Sequence, residues 1–371
     1  MKHGEEKGSM LARLDWIFLF AVLALMGIGI LFIYSASYRG DNEWMTELTR
    51  KQAVWAVAGL VAFALAVMTD YRQLADNAWW LFIVCLVLLV LVLFMGVKIY
   101  GSTRWLNLFG IQVQPSEFAK IGTLLVLAHY LSPPSRDMAS AKTFFAVFGL
   151  MAIPFVLVLQ QPDLGTALML LPVTLALLFV GGVPLRYLVI LGVIGLLLSP
   201  LGWYVLDDYQ KERILVFLDP GRDPLGAGWN KIQSEIAVGS GGLGGKGYLM
   251  GTQNILGFLP RTVAPTDFIF SVIAEESGFA GAALVLGLYA VILGCGIRAA
   301  IRARDRLGRL LAAGITTSLF CHMFVNIAMT VGLAPITGLP LPLISYGGSF
   351  MISTMVGLGL VQSVYVRRID R

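Results

Sequence analysis

The 371-residue chain has few charged residues, few histidines and few cysteines. Only 13% of its residues are charged, whereas a soluble domain has about 25%. Because so little polar surface is available to face water, a soluble enzyme, a disordered chain and a coiled coil are poor fits. Three cysteines without a CxxC pair and three scattered histidines indicate neither a disulfide framework nor a zinc site. The net charge of +5 comes without a basic face or an RNA-binding motif, so nucleic acid is not an expected partner.

Apolar residues are abundant instead: they make up 57% of the chain and give a mean hydropathy of +0.80. About 20 such residues in a row can cross a bilayer as a helix. The runs are continuous rather than alternating, which excludes a membrane β-barrel. We therefore predict an all-α polytopic membrane protein that forms a single domain over 1–371. Its ten predicted spans are 16–35, 53–69, 78–96, 116–131, 143–160, 164–182, 184–205, 268–297, 310–331 and 347–366.

The distribution of Lys and Arg predicts the orientation of these spans, because cytoplasmic loops are enriched in both residues. With the N-terminus inside, the inner segments hold 15 of the 27 basic residues, among them Lys2, Lys7 and Arg371. The short outer loops hold five, among them Arg39. We therefore predict that both termini are cytoplasmic.

The segment 206–266, between the seventh and eighth spans, is long and rich in glycine, yet aromatic residues recur along it. Its aromatic content argues against disorder. We predict a large extracytoplasmic loop that contains short amphipathic or re-entrant helices. Within it, 239–244 match G-x-G-x-x-G without a surrounding β-α-β unit. Two interpretations stay open for these glycines: a surface turn, or a cradle for an anion beside Lys246.

Charged side chains inside apolar spans are costly, by roughly 2.5–3.5 kcal/mol each at a helix centre. Glu117 and Lys120 open the fourth span and are three residues apart, so they share a helix face and can pair. Asp163 lies in a polar break, 161–166, between two apolar runs. A structural ion pair in the first case, and a turn with Asp163 as helix N-cap in the second, are the non-functional alternatives.

Asp267 opens the eighth span, and Glu275 and Glu276 follow inside it. At about 100° per residue, Glu275 lies nearer the helix face of Asp267, and Glu276 points largely away. Helix capping by Thr266 or Asp267 is the structural alternative. Capping does not explain two further carboxylates in the same apolar run, which favours a functional Asp267.

Towards the C-terminus, three prolines within 335–342 precede the polar run 345–349. This density of helix breakers predicts re-entrant backbone that is shielded by protein. His322 and Asn326 are four residues apart in the preceding span. A hydrogen bond between helices is the expected role of such residues.

Taken together and in order, these motifs resemble the SEDS family of shape, elongation, division and sporulation proteins. The resemblance covers nearly the whole chain, and the run 239–251 is more similar to elongation members than to division members. The motifs are Pro115-Ser116-Glu117 with Lys120, Gln161-Pro162-Asp163-Leu164-Gly165-Thr166, Asp223-Pro224-Leu225-Gly226-Ala227-Gly228, Gly244-Gly245-Lys246-Gly247, Thr266-Asp267-Phe268 with Ala274-Glu275-Glu276, and Pro340-Leu341-Pro342 with Ser345-Tyr346-Gly347-Gly348-Ser349.

The resemblance implies a peptidoglycan glycosyltransferase that polymerises lipid II on the outer face of the bacterial cytoplasmic membrane during cell elongation. It implies a class B penicillin-binding protein and other membrane proteins of the elongation complex as partners. The family's essential aspartate falls on Asp267. Just before it, 259–267 is longer than the family's usual Leu-Pro-Glu-x-His-Thr-Asp and lacks its Glu and His. Neither of those two side chains can therefore be essential here.

In this interpretation Asp267 is the catalytic residue, as the general base that removes a proton from a sugar hydroxyl. Binding of a divalent cation, Mg²⁺ or Mn²⁺, by Asp267 is the open alternative, and no other cofactor is indicated. Cations would stabilise the departing pyrophosphate, and carboxylates would orient them. The predicted substrate-binding residues are Arg104, Glu117, Lys120, Asp163, Lys246 and Glu275. A lipid II flippase, a division-type polymerase and a scaffold without chemistry stay open as alternative functions.

Overall fold

The computed structural model describes residues 10–38, 45–99, 102–108 and 110–368. Lys2, Lys7, Arg39 and Arg371, which entered the orientation argument, lie outside these residues. The described helices number fourteen: α1 Trp16–Ser37, α2 Glu47–Met68, α3 Tyr71–Asp76, α4 Ala78–Met95, α5 Pro115–Leu131, α6 Ala141–Leu159, α7 Leu164–Gly181, α8 Leu185–Val205, α9 Asp208–Leu218, α10 Ala227–Ser240, α11 Thr252–Ile255, α12 Ile269–Ile301, α13 Arg306–Thr330 and α14 Gly348–Val366.

One long helix occupies each of the ten predicted spans, which confirms the polytopic helical fold. Among the described residues, nine of these helices are long and apolar enough to cross a membrane. The tenth is α5, which has 17 residues, begins at Pro115 and carries Glu117 in its first turn. Two of the predicted divisions between spans are short: Asp163 separates α6 from α7, and Gly182, with φ of 90°, ends α7 before Pro184.

The helices pack around α13, which contacts α5, α7, α12 and α14. Buried apolar side chains fill the space between them, and α14 joins α2 to this core. In contrast, α8 makes its main contact with α7, and none of its described side chains is buried. A helix that is apolar on every side and uncovered by protein is suited to contact with lipid.

A small antiparallel sheet connects α4 to α5 and was not predicted from the sequence. Its strands are β1 Val97–Ile99, β2 Ser102–Leu108 and β3 Ile111–Val113, in the order β1-β2-β3. In the register, Val97 faces Trp105 and Leu106 faces Val113. The sheet turns the chain back to the start of α5 and places Arg104, on β2, beside the polar break between α6 and α7.

The segment 206–266 contains α9, α10 and α11. Its glycine run packs against a break in α12 at Gly278, where φ is 64° and ψ is −162°. The loop replaces helix hydrogen bonds that are lost at the break: the backbone N–H of Phe279 donates to Gly242 O (2.8 Å), and that of Gly247 donates to Glu276 O (3.0 Å). The glycines therefore form neither a free surface turn nor an open anion cradle.

Replacing Gly278 with Ala is expected to destabilise the protein by about 1–3 kcal/mol, because its backbone conformation is accessible essentially to glycine alone. The added Cβ would also lie 2.3 Å from the backbone nitrogen of Gly245. The matched control is Gly287→Ala in the same helix, where a Cβ meets nothing within 4 Å. Thermal unfolding in detergent should show a lower Tm for the first variant only. Equal Tm values would contradict the account of the break.

Candidate active site

Asp267 lies in the turn immediately before α12, and Phe268, not Thr266 or Asp267, occupies the N-cap position of that helix. The capping alternative for Asp267 is therefore wrong. Its backbone N–H donates to Val263 O (3.0 Å), and its carbonyl accepts from Asn326 Nδ2 on α13 (2.9 Å). The side chain is partly exposed. These backbone hydrogen bonds thus fix the position of a half-buried side chain.

The segment 331–347 supports this turn, and it is irregular with a buried portion around 339–345, in agreement with the predicted shielded backbone. Ser345 Oγ donates to Thr266 O (2.5 Å), and the backbone N–H of Tyr346 donates to Pro265 O (2.9 Å). Gly338, with φ of 71°, faces the carboxyl: a Cβ there would lie 3.6 Å from Asp267 Oδ2. A side chain at 338 would therefore narrow the space beside Asp267.

Asp163 and Arg104, both predicted from the sequence, lie next to each other. Asp163 Oδ1 accepts from the backbone N–H of Thr166 (3.1 Å), so Asp163 is the N-cap of α7, and it also lies 3.6 Å from Arg104 Nη1. The guanidinium of Arg104 donates to the carbonyl of Pro162, and Gln114 Nε2 donates to Asp163 Oδ2 (3.3 Å). The structural and functional interpretations of Asp163 are thus compatible, because the carboxylate that caps α7 also positions the guanidinium of Arg104.

Arg213, on α9, completes the cluster and was not singled out in the sequence. Its Nη1 donates to Thr337 O (2.9 Å), and its guanidinium lies over the ring of Tyr209. Arg213 and Asp267 interact electrostatically, as do Arg213 and Asp163. No motif marks this arginine, which is one of six basic residues in 206–266. Only the fold of the segment brings it to Asp267.

The charges around Asp267 determine its acidity. The pKa of the Asp267 carboxyl is raised to about 6, mainly by burial. The nearby charge of Asp163 also raises this pKa, whereas the positive charges of Arg213 and Arg104 lower it. A carboxyl with a pKa near neutrality suits proton transfer. The two arginines beside it can bind the oxygens of a phosphate group.

The same cluster is a poor site for a divalent cation. Among the described residues, no three His, Cys, Asp or Glu side chains form a group that could hold a metal ion. At Asp267, the second carboxylate is Asp163, which already contacts Arg104, Gln114 and a backbone amide. Since two guanidinium groups would repel the ion as well, these residues do not fit a resident Mg²⁺ or Mn²⁺.

Glu117 and Lys120 lie deeper, about one and two helical turns below Gln114 along α5. Lys120 Nζ is 2.9 Å from Glu117 Oε2, which confirms their pairing. The same Nζ lies 2.8 Å from His322 Nε2. Because an ammonium can only donate, His322 accepts at Nε2 and carries its proton on Nδ1. These groups line a cavity of about 60 Å³, room for a few water molecules.

Breaking this buried pair is expected to cost about 3–5 kcal/mol, because an uncompensated charge remains in the core. Glu117→Gln and Lys120→Met should each lower the Tm in detergent, and the double variant should recover part of the loss. The control is the exposed pair Glu47 and Lys51, whose side chains are 68% and 53% exposed. Solvent screens that pair, so the same substitutions there should leave the Tm unchanged. Equal losses at both pairs would contradict the prediction.

Lys246 and Glu275 form a third group, on the glycine run and the N-terminal part of α12. Lys246 Nζ lies 2.6 Å from Glu275 Oε1, which also accepts from the backbone N–H of Gln253 (3.0 Å). Glu276 accepts from Ser35 Oγ (2.5 Å) and from the backbone N–H of Leu249 (3.2 Å). Both carboxylates thus accept hydrogen bonds from the backbone of the segment 249–253. A substrate contact by Lys246 or Glu275 stays a prediction.

Known proteins resemble this chain over nearly its full length. Residues 15–369 match the model of the FtsW/RodA/SpoVE family, described as "Cell cycle protein". The peptidoglycan glycosyltransferase MrdB of Escherichia coli K12 is 41% identical over 364 residues, which cover 96% of this chain and 94% of MrdB.

Two solved structures share the fold. The rod shape determining protein RodA of Thermus thermophilus is 32% identical, with a TM-score of 0.71 and coverage of 96% of this chain and 98% of that one. The second is a chain of a peptidoglycan synthase complex, whose structure describes how polymerisation and crosslinking are coordinated. It is 36% identical, with a TM-score of 0.79 and coverage of 95% of this chain and 97% of that one. The ordered motifs, the ten long helices and these matches together establish that the chain is a multi-pass membrane protein that belongs to the FtsW/RodA/SpoVE family.

Proposed function

We propose that Asp267 is the general base with which this chain joins lipid II units into glycan strands. The chain is a peptidoglycan glycosyltransferase of the elongation type, like the MrdB and RodA proteins it matches. The role of Asp267 is supported by its surroundings: its half-buried carboxyl lies beside Arg213 and Arg104, and burial raises its pKa to about 6. Transfer of a sugar from a pyrophosphate needs a base that accepts the hydroxyl proton and cations that stabilise the leaving pyrophosphate.

In the proposed reaction, a sugar hydroxyl of one substrate attacks the anomeric carbon of another. Asp267 accepts the hydroxyl proton as the new C–O bond forms and the bond from the anomeric carbon to the pyrophosphate oxygen breaks. The lipid pyrophosphate leaves with the bonding electrons. Arg104 and Arg213 stabilise its charge, since planar guanidinium groups bind phosphate oxygens in pairs.

The remaining predicted residues act around this centre. Asp163 orients Arg104, because its Oδ1 lies 3.6 Å from Arg104 Nη1. Glu117 and Lys120 hold the start of α5, and with it Gln114, in place beneath the cluster. Lys246 and Glu275 anchor the glycine run to α12 at the edge of the site.

The orientation that follows from the basic residues places this cluster on the extracytoplasmic side and both termini in the cytoplasm. The turn before α12, the sheet after α4 and the break between α6 and α7 meet at one end of the helix bundle, because Arg104 contacts Gln161 and interacts electrostatically with Asp267. We propose a class B penicillin-binding protein as partner. The synthase complex that contains the structural relative supports this, because it couples polymerisation to crosslinking.

Polymerisation of purified lipid II by the purified protein and its partner in detergent tests the activity. Detergent micelles have no two sides, so a flippase produces nothing there, whereas a polymerase makes glycan that lysozyme digests. We expect glycan to form. Its absence, together with lipid II translocation in liposomes, would favour the transport alternative.

A further inference from the structure

An apolar groove runs along the lipid-facing side of the bundle between α4 and α6. Its volume is about 730 Å³, within the range of about 300–1,000 Å³ that is usual for small-molecule sites. The side chains that line it are all apolar: Ile83, Leu86, Val87, Val90, Leu91, Ala152, Ile153, Val156 and Leu157. Its chemistry therefore suits a hydrocarbon chain and no polar ligand.

A small cluster of buried side chains lies beneath the groove. Leu89 and Val158, from the same two helices, are buried with Ala119 of α5 and Ala167 of α7 in this cluster, which is separate from the main core. The cluster connects α4 and α6 to α5 and α7. A side chain or a lipid can occupy the space without disturbing this cluster.

One end of the groove lies beside the proposed pyrophosphate site. Leu157 precedes Gln161 by about one helical turn, and Gln161 Nε2 donates to Leu89 O across the two helices (3.0 Å). The carbonyl of Gln161 in turn accepts from Arg104 Nε (3.4 Å). A chain that lies in the groove would therefore end next to Arg104.

We propose that this groove holds the first isoprene units of the polyprenyl pyrophosphate substrate while Arg104 binds the pyrophosphate. The proposal rests on the proposed function, and it adds the position of the lipid chain. Burial of several methylene and methyl groups in the groove contributes to binding, and the open side lets the substrate enter from the bilayer. The long tail beyond these units remains in lipid.

A tryptophan in the groove tests this assignment. Val87 lines the groove and is 53% exposed, so Val87→Trp fills it from the lipid side. The matched control is Val61→Trp: Val61 is 56% exposed on α2, which packs against α1 and α14. Gel filtration and thermal unfolding in detergent confirm that both variants fold.

The kinetic measurement is the KM for lipid II with an undecaprenyl tail. For Val87→Trp, this KM is expected to rise about tenfold with little change in kcat, which corresponds to lost burial of roughly two methylene groups. Val61→Trp should leave the KM unchanged. Equal KM values for the two variants would overturn the proposal.

Photolabelling separates this proposal from the proposed function, because it needs no turnover. A polyprenyl pyrophosphate with a diazirine on its first isoprene units should label α4 and α6 of the wild-type protein, and undecaprenyl pyrophosphate should compete while a phospholipid does not. Labels on other helices, or equal competition by phospholipid, would overturn the groove. Labels in the groove without glycan synthesis would support the groove and contradict the polymerase.

Discussion

Replacing Asp267 with Asn is expected to lower the rate of glycan formation by about 10²–10⁴-fold, the range that general acid–base catalysis contributes. Asn keeps the size of the side chain but cannot accept the hydroxyl proton. Lipid II binding should persist, because Arg104 and Arg213 remain. The measurement is the single-turnover rate of polymerisation by the purified protein with its partner, at equal expression.

A matched control for this variant is Asp208→Asn on α9, where the side chain is fully exposed beside Lys211. Asp208→Asn should polymerise like the wild type. Near-normal polymerisation by Asp267→Asn or Asp267→Ala, at normal partner binding, would remove Asp267 from the mechanism and favour a scaffold.

The pH profile gives an independent signature of the same carboxyl. A general base must be ionised, and burial raises the pKa of Asp267 to about 6. The value of kcat/KM should therefore fall as the pH drops through about 6 and reach a plateau above about pH 7. A profile that stays flat down to pH 5 would contradict the assignment.

Replacing Arg213 with Gln is expected to produce the second-largest loss, about 10–100-fold in kcat/KM, which is the value of a hydrogen bond to a charged group. The leaving pyrophosphate loses one of its two guanidinium partners. The acid limb of the pH profile should also move to higher pH, because Arg213 lowers the pKa of Asp267. A purely structural role through Thr337 would not move that limb.

The control for Arg213 is Arg222→Gln, because Arg222 is exposed in the same segment. It removes the same net charge without touching Asp267 or Thr337, and both rate and pH profile should stay at wild-type values. The prediction for Arg213 would be wrong if the two variants behaved alike.

Much of the fold follows from local patterns in the sequence. Each of the ten spans is a continuous apolar run, so its position depends on its own residues and hardly on its neighbours. Caps are equally local: Asp163 is the N-cap of α7, which was one of the two interpretations of its position in the sequence. The sheet after α4 could not be predicted, because its three short strands carry no extended alternation.

The candidate site was only partly predictable, because it is built from contacts between distant segments. Asp267, Asp163 and Arg104 stand out as polar residues at span ends. Arg213 does not, because it is one charge among several on the amphipathic helix α9. The sequence left two interpretations open for the glycine run, a surface turn and an anion cradle. In the structure, the break at Gly278 lets backbone carbonyls of α12 accept from the N–H groups of Lys246 and Gly247, and the Glu276 carboxylate accepts from Leu249.

The sequence by itself determined that this protein lies in a membrane, where its ten spans are located along the chain, and which carboxylates are costly to bury. A continuous apolar run and the free-energy cost of a charge within it are both properties of short stretches of chain. The tertiary structure alone decided which charges meet: Arg213 with Asp267, His322 with Lys120, and Lys246 with Glu275. Electrostatic and hydrogen-bond partners depend on distances of a few ångströms between residues far apart in the chain, and only packing sets those distances.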